Sequence, residues 1–121
     1  MTAGSQCVLI IDDNVELAEN IAEILEMEGH VTHVAASAEE ALPKAVEHEP
    51  DFVVTDYRLP GMSGAEFLRH FLPARATVRA VVISAYTDER TVKEAEDAGA
   101  TFVSKPVDFK LLASLVRDGA A

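Results

Sequence analysis

Residues 7–14 read Cys7-Val8-Leu9-Ile10-Ile11-Asp12-Asp13-Asn14, five apolar residues running without interruption into two adjacent carboxylates. A strand with one wet face alternates apolar and polar side chains, so an unbroken run of this kind reads as a strand covered on both faces. Phe52–Thr55 and Ala80–Ile83 have the same character, and His30–Ala35 and Thr101–Val103 complete a set of five. His30–Ala35, second in chain order, is weaker and suits an edge. Helix signals fill the gaps. Asn14 is placed to cap a helix whose Leu17, Ile21, Ile24 and Leu25 form one stripe, and Gly29 supplies the left-handed residue that ends it. Ser37 and Glu40 form a capping box, but Pro43 follows about two turns later, which predicts a kink or a late helix start. A third helix over Ala65–Phe71 stops before Pro73, a fourth runs from about Asp88 to Ala98 and ends at Gly99, and a fifth covers Asp108–Val116. Strict alternation of strand and helix specifies a parallel sheet with helices on both faces. The expectation is a flavodoxin-like, doubly wound α/β sandwich of three layers, with five strands in the order 2-1-3-4-5 and five helices.

Composition sets the remaining bounds. The chain has 121 residues, 49% hydrophobic, with 10 Lys+Arg against 21 Asp+Glu and a net charge of −11. That suffices for one ordinary core, expected over residues 5–118 with short tails at 1–4 and 119–121 and no effector domain. The single Cys7 allows no intramolecular disulfide and no multi-cysteine zinc site, and it reads as an inert core thiol. The longest apolar run, Cys7–Ile11, is far short of the roughly 18 residues of a membrane span, so a cytoplasmic location is the default. An acidic surface repels phosphate backbones and anionic lipid, which argues against direct nucleic-acid or membrane partners.

In such a sheet, ligands sit beyond the carboxyl ends of the strands, near the reversal of strand order between strands one and three. Strand one runs into Asp12 and Asp13, strand three into Asp56, strand four into Ser84, and strand five into Ser104 and Lys105. Three carboxylates crowded onto one rim must raise a pKa or recruit a cation. Oxygen donors without His or Cys favour Mg²⁺, or Mn²⁺, over zinc. A carboxylate left partly free can attack phosphorus and form an aspartyl phosphate, with metal, Lys105 and the Ser84 hydroxyl neutralising the equatorial oxygens. Asp56, alone on the central strand, is the best nucleophile. Singly, each residue also has an ordinary use: Asp12 or Asp13 as a helix cap, Asp56 as a turn residue, Lys105 as a solvated lysine. Their joint placement carries the weight.

Read in order, the acidic pair in Val8–Asn14, the segment Asp56-Tyr57-Arg58-Leu59-Pro60-Gly61-Met62-Ser63-Gly64, the Ser84-Ala85 step, and Gly99-Ala100 leading to Phe102 and Lys105-Pro106 resemble a response-regulator receiver domain of two-component signalling. The resemblance runs from about Cys7 to Val116. It implies that Asp56 accepts a phosphoryl group from a phosphohistidine on a histidine kinase or histidine phosphotransfer protein. Asp13, Asp56 and the backbone carbonyl of Arg58 would bind Mg²⁺, and Asp12 would hold a metal-bound water. Lys105 would pair with Asp56, and the peptide before Pro106 would be cis. Ser84 would move to the phosphate and Phe102 rotate behind it, remodelling the face of the fourth helix, fifth strand and fifth helix for a downstream protein or a phosphorylation-dependent dimer. Phe102 reads equally as a core aromatic. Arg58 and Tyr86 occupy the family's variable tuning positions, where bulk screens the phosphoryl group from water. Kinase docking would use Asn14, Val15, Leu17, Ala18 and Pro106–Asp108.

The competing class is a Mg²⁺-dependent aspartyl-nucleophile phosphatase, disfavoured because Asp12-Asp13-Asn14 is not that class's Asp-x-Asp pair and no cap insertion is present. A flavodoxin-like electron carrier would need a Gly/Ser/Thr-rich first turn where this one is acidic. His30, His33, His48 and His70 share no metal spacing and read as strand or helix-surface residues.

Overall fold

The computed structural model describes residues 5–118. Its elements are β1 (Cys7–Ile11), α1 (Val15–Met27), β2 (Val31–Ala35), α2 (Ala38–His48), β3 (Phe52–Asp56), α3 (Gly64–Phe71), a 3-10 turn (Leu72–Ala74), β4 (Arg79–Ser84), α4 (Glu89–Asp97), β5 (Thr101–Ser104) and α5 (Phe109–Asp118). All strand pairs are parallel, and the sheet order is β2-β1-β3-β4-β5, with β2 at the edge.

Alternation along each strand splits the core into two layers. Val8, Ile10, Phe52, Val54, Val81 and Ile83 point to α1 and α5, where Ile21, Leu25, Leu112 and Val116 meet them. Leu9, Ile11, Val53 and Val82 point the other way, onto the alanines of α2 and the Phe67, Leu68 and Phe71 of α3. Gln6 extends the first layer at its lower edge, its side-chain amide donating to the Val116 carbonyl.

Side chains start the helices as the sequence suggests. The Asn14 carboxamide oxygen accepts from Leu17 N–H at 3.1 Å, Ser37 Oγ from Glu40 N–H at 3.1 Å, and Asp88 Oδ2 from Thr91 N–H at 3.2 Å. One helix departs from expectation. α2 starts on time at Ala38 and runs with Pro43 inside it. The Ser37 cap fixes its first turn and Ala38, Ala41 and Ala45 are fully buried against the sheet, so packing holds the helix across the missing N–H. α3 ends at Phe71, before Pro73 as expected, and the chain then tightens into the 3-10 turn, where proline's fixed φ is tolerated near the start.

Candidate functional site

The strand ends assemble the rim. Backbone bonds continue the ladder past the last strand residues: Asp12 N–H donates to Ala35 C=O at 3.0 Å, Tyr57 N–H to Ile83 C=O at 2.8 Å, and Lys105 N–H to Ser84 C=O at 2.9 Å. These bonds hold the residues that follow β1, β3 and β5 as firmly as the strands themselves. Asp56 is the last residue of β3 rather than the first beyond it, paired in register with Ile83. By the period of two, Asp12 and Asp56 share the parity of Val8, Ile10, Phe52 and Val54 and so lie on the α1/α5 side.

Asp12, Asp13 and Asp56 each offer a carboxylate oxygen, and the three oxygens lie within 4.8 Å of one another. Lys105 Nζ stands 3.4 Å from Asp56 Oδ1. Asp12 is 2% exposed and Asp56 7%, while Asp13 is open to solvent. Burial, then the neighbouring Asp12 charge, pushes the Asp56 carboxyl up to about 6, with Lys105 opposing. Burial also raises Asp12, against the Asn14 N–H that donates to its Oδ1 at 2.9 Å. Two desolvated carboxylates and one open one, with all-oxygen donors, form a donor set that fits a small hard dication, whose charge would relieve this crowding.

Ser84 ends β4, buried to 1%, and its Oγ accepts from Tyr86 N–H at 2.9 Å. Its parity is that of Val82, which pairs in register with Phe102, so hydroxyl and aromatic lie on the α3/α4 side of the sheet. Phe102 is half-buried and packs against that layer. The Arg58 guanidinium carbon sits 4.5 Å from the centroid of the exposed Tyr86 ring, so the two variable positions touch each other. The Lys105–Pro106 peptide is cis.

Several contacts around Asp56 carry no mark in the sequence. A Cβ on Gly64 would overlap the Asp56 carbonyl oxygen and crowd the Thr55 side chain, so α3 can approach the end of β3 only through glycine. Gly64 N–H donates to Tyr57 C=O at 3.0 Å, and Thr55 Oγ1 donates to the Asp56 carbonyl at 3.0 Å. A glycine directly after the Ser63 cap is the one sequence hint of this close approach. Tyr57 Oη bonds Glu94 Oε2 at 2.5 Å, tying the acceptor loop to α4 across 37 positions.

Some expectations fail. Ala18, expected in a docking footprint, is fully buried and offers no side chain at the surface, whereas Val15 is 53% exposed. Cys7 is half-buried at the start of β1 rather than in the core, and burial, then Asp51, raises its thiol. His30 precedes β2 and is buried, its Nδ1 accepting from Gln6 N–H at 3.0 Å. His33 and His48 stack at 3.6 Å between ring centroids. A cavity of about 510 Å³ lies far from the acidic rim, lined by Glu49, Asp51 and Arg75 among others.

The response regulator receiver domain model matches residues 8–117, and the chain belongs to that family. It is 30% identical over 111 residues to sporulation initiation phosphotransferase F of Bacillus subtilis, covering 91% of this chain and 90% of that protein. It is 37% identical over 118 residues to the DNA-binding response regulator MtrA of Mycolicibacterium smegmatis, covering 97% of this chain but 51% of MtrA, so it spans about half the length of that relative. Among solved structures, a CheY-like receiver domain protein of Methanospirillum hungatei superposes with a TM-score of 0.89 at 26% identity, over 96% of this chain and 94% of that one. The phosphatase reading is not favoured by these likenesses. Among the described residues no helix is long and apolar enough to cross a membrane.

Proposed function

We propose that this receiver domain takes a phosphoryl group onto Asp56 from a phosphohistidine of a histidine kinase or histidine phosphotransfer protein. An Asp56 carboxylate oxygen attacks phosphorus, the P–N bond breaks, and its electron pair returns to the imidazole, which takes up a proton. Asp12, Asp13 and Asp56, with the Arg58 backbone carbonyl, would hold Mg²⁺ or Mn²⁺; when bound, the metal supplies positive charge that neutralises the phosphoryl oxygens. Lys105 stands on Asp56 now and would follow the charge to the phosphate. Asn14, Val15, Leu17 and Pro106–Asp108 form the kinase footprint.

The phosphate adds about one negative charge and three acceptor oxygens. Ser84 would donate to one of them, and Phe102, one strand away on the same side, would fill the space it leaves, altering the face of α4, β5 and α5 for a downstream protein or a second copy. Reversing a 1:99 population takes about 5.5 kcal/mol, and one charge-assisted bond supplies about 1.5–3, so Ser84, Lys105 and Phe102 must act together. The chain is read as one receiver unit over 5–118, cytoplasmic, catalysing only its own phosphorylation and dephosphorylation.

The observation that carries this reading is the pairing of Lys105 with the most perturbed of three clustered carboxylates. Incubation with acetyl phosphate and Mg²⁺ tests it. A stoichiometric, hydroxylamine-labile adduct, absent in Asp56→Asn, is expected. Continuous turnover would mark a phosphatase, and no adduct would mark a receiver that only binds partners.

A further inference from the structure

At the end of the sheet away from the acidic rim, α3, the 3-10 turn and the end of α4 enclose an open cleft of about 370 Å³. Its lining includes the apolar Leu68, Leu72, Ala76 and Val78, and its charged residues are Arg69, Arg75, Arg79 and Asp97. Three of the six arginines of a chain at −11 thus gather around one cleft against a single aspartate. That aspartate is already engaged, since Lys93 Nζ lies 3.6 Å from Asp97 Oδ2.

The arginines themselves are not engaged by acids. Ion pairs among the described residues use Arg90, Arg117, Lys44, Lys93 and Lys105, and His48 with Glu47. Arg75 has a structural use, donating to the Phe71 carbonyl at 3.1 Å and lying 4.2 Å over the Phe71 ring. Arg69 feels Glu94 only at longer range, because Tyr57 and Arg90 hold that carboxylate. Arg69 and Arg79 are exposed at the cleft margin. Neither has an ion pair among the described residues, and both stand beside the cleft's apolar lining.

We propose that this cleft docks an acidic segment of a partner protein, its carboxylates on Arg69 and Arg79 and an apolar side chain between them on Leu72 and Val78. Charge complementarity selects the occupant. A guanidinium binds a carboxylate in a two-point fork and is less tightly hydrated than an ammonium, which suits a shallow, open surface. A nucleic acid would extend beyond the cleft and meet the acidic remainder of the surface, whereas a short segment meets the cleft alone. The site lies apart from Asp56 and stands or falls independently of the phosphoryl reading.

The probe is a capped peptide, Glu-Glu-Leu-Leu-Glu-Glu, titrated into the ¹⁵N-labelled chain and followed by backbone amide and arginine Nε–H signals. Shifts confined to the cleft, at Arg69, Leu72, Ala76, Val78, Arg79 and Gly99, are expected, and Arg69→Gln with Arg79→Gln should weaken binding about tenfold. Arg69→Lys with Arg79→Lys keeps the charge but loses the two-point fork and should bind between the unaltered chain and the double Gln variant, which separates charge from fold. The proposal is overturned if the Gln-Gln-Leu-Leu-Gln-Gln peptide shifts the same signals equally, or if the double Gln variant binds unchanged. It is also overturned if inorganic phosphate reproduces the pattern at the same concentration, or a single-stranded oligonucleotide binds the cleft more tightly. Acetyl phosphate labelling of the double Gln variant should equal that of the unaltered chain, so a failure here leaves Asp56 untouched.

Discussion

Replacing Asp56 with Asn should make the metal-free protein more stable at neutral pH, although it removes the proposed acceptor. The side chain is 7% exposed and its carboxyl is raised from 3.8 to about 6, first by burial and then by the Asp12 charge. Because the folded state holds the proton more tightly than the unfolded one, the sign is fixed. Below about pH 3.8 both states are protonated and nothing is lost. Between 3.8 and 6 the unfolded chain ionises first and stability falls as pH rises. Above 6 the full penalty stands, about 3 kcal/mol before solvent screening. Water at the pocket mouth and the lost Lys105 contact reduce what Asn recovers, leaving about 1–2 kcal/mol. At a urea slope of about 1–3 kcal/mol per M, the midpoint should rise by roughly 0.5–1 M at pH 7.5 in EDTA. Near pH 4 the gain should shrink to a few tenths of a kcal/mol. Adding Mg²⁺ should stabilise the unaltered chain more than the variant and narrow the gap. An unchanged or lower midpoint at pH 7.5, or the same gain at both pH values, would refute the reasoning.

Asp12→Asn should stabilise the metal-free chain for the same reason, but the double variant with Asp56→Asn should gain less than the two together, since their mutual repulsion is removed once; urea midpoints of all four proteins close the cycle. Gly64→Ala forces a methyl against the Asp56 carbonyl and should cost about 1–3 kcal/mol while slowing acetyl phosphate labelling, measured on the same samples. Arg58→Ala and Tyr86→Ala should each speed loss of the phosphoryl group, and the double variant should do no more than the faster single one, because the two side chains act as one stacked cover. Unchanged lifetimes in both single variants would leave them as mere pocket rim.

The fold was legible because the strongest local signal, unbroken apolar strands feeding capped helices, agreed with the global arrangement at every step. Where local and tertiary forces disagreed, the local reading lost. Pro43 should weaken α2, yet the Ser37 cap and three buried alanines carry the helix through it. Asp12, Asp13, Asp56 and Lys105 could be found because they end strands, and a parallel sheet brings strand ends together however far apart they lie in sequence. The stacked His33 and His48, the Tyr57–Glu94 bond and the arginine cleft join residues on different elements at positions where no strand end or cap points to them. Only coordinates reveal such pairs. Gly64 lies between these cases: the residue was in view, but its reason is a backbone approach that sequence spacing does not encode.

The two core layers share no strand side chain. Substitutions accumulating among Val8, Ile10, Val54 and their α1/α5 contacts need no matching changes among Leu9, Val53, Val82 and their α2/α3 contacts. The sheet therefore divides the protein into two halves that can diverge at separate rates, each following whatever binds its own outer face. Only the strand-end residues are answerable to both, which makes the rim the part of the molecule with the least freedom to drift.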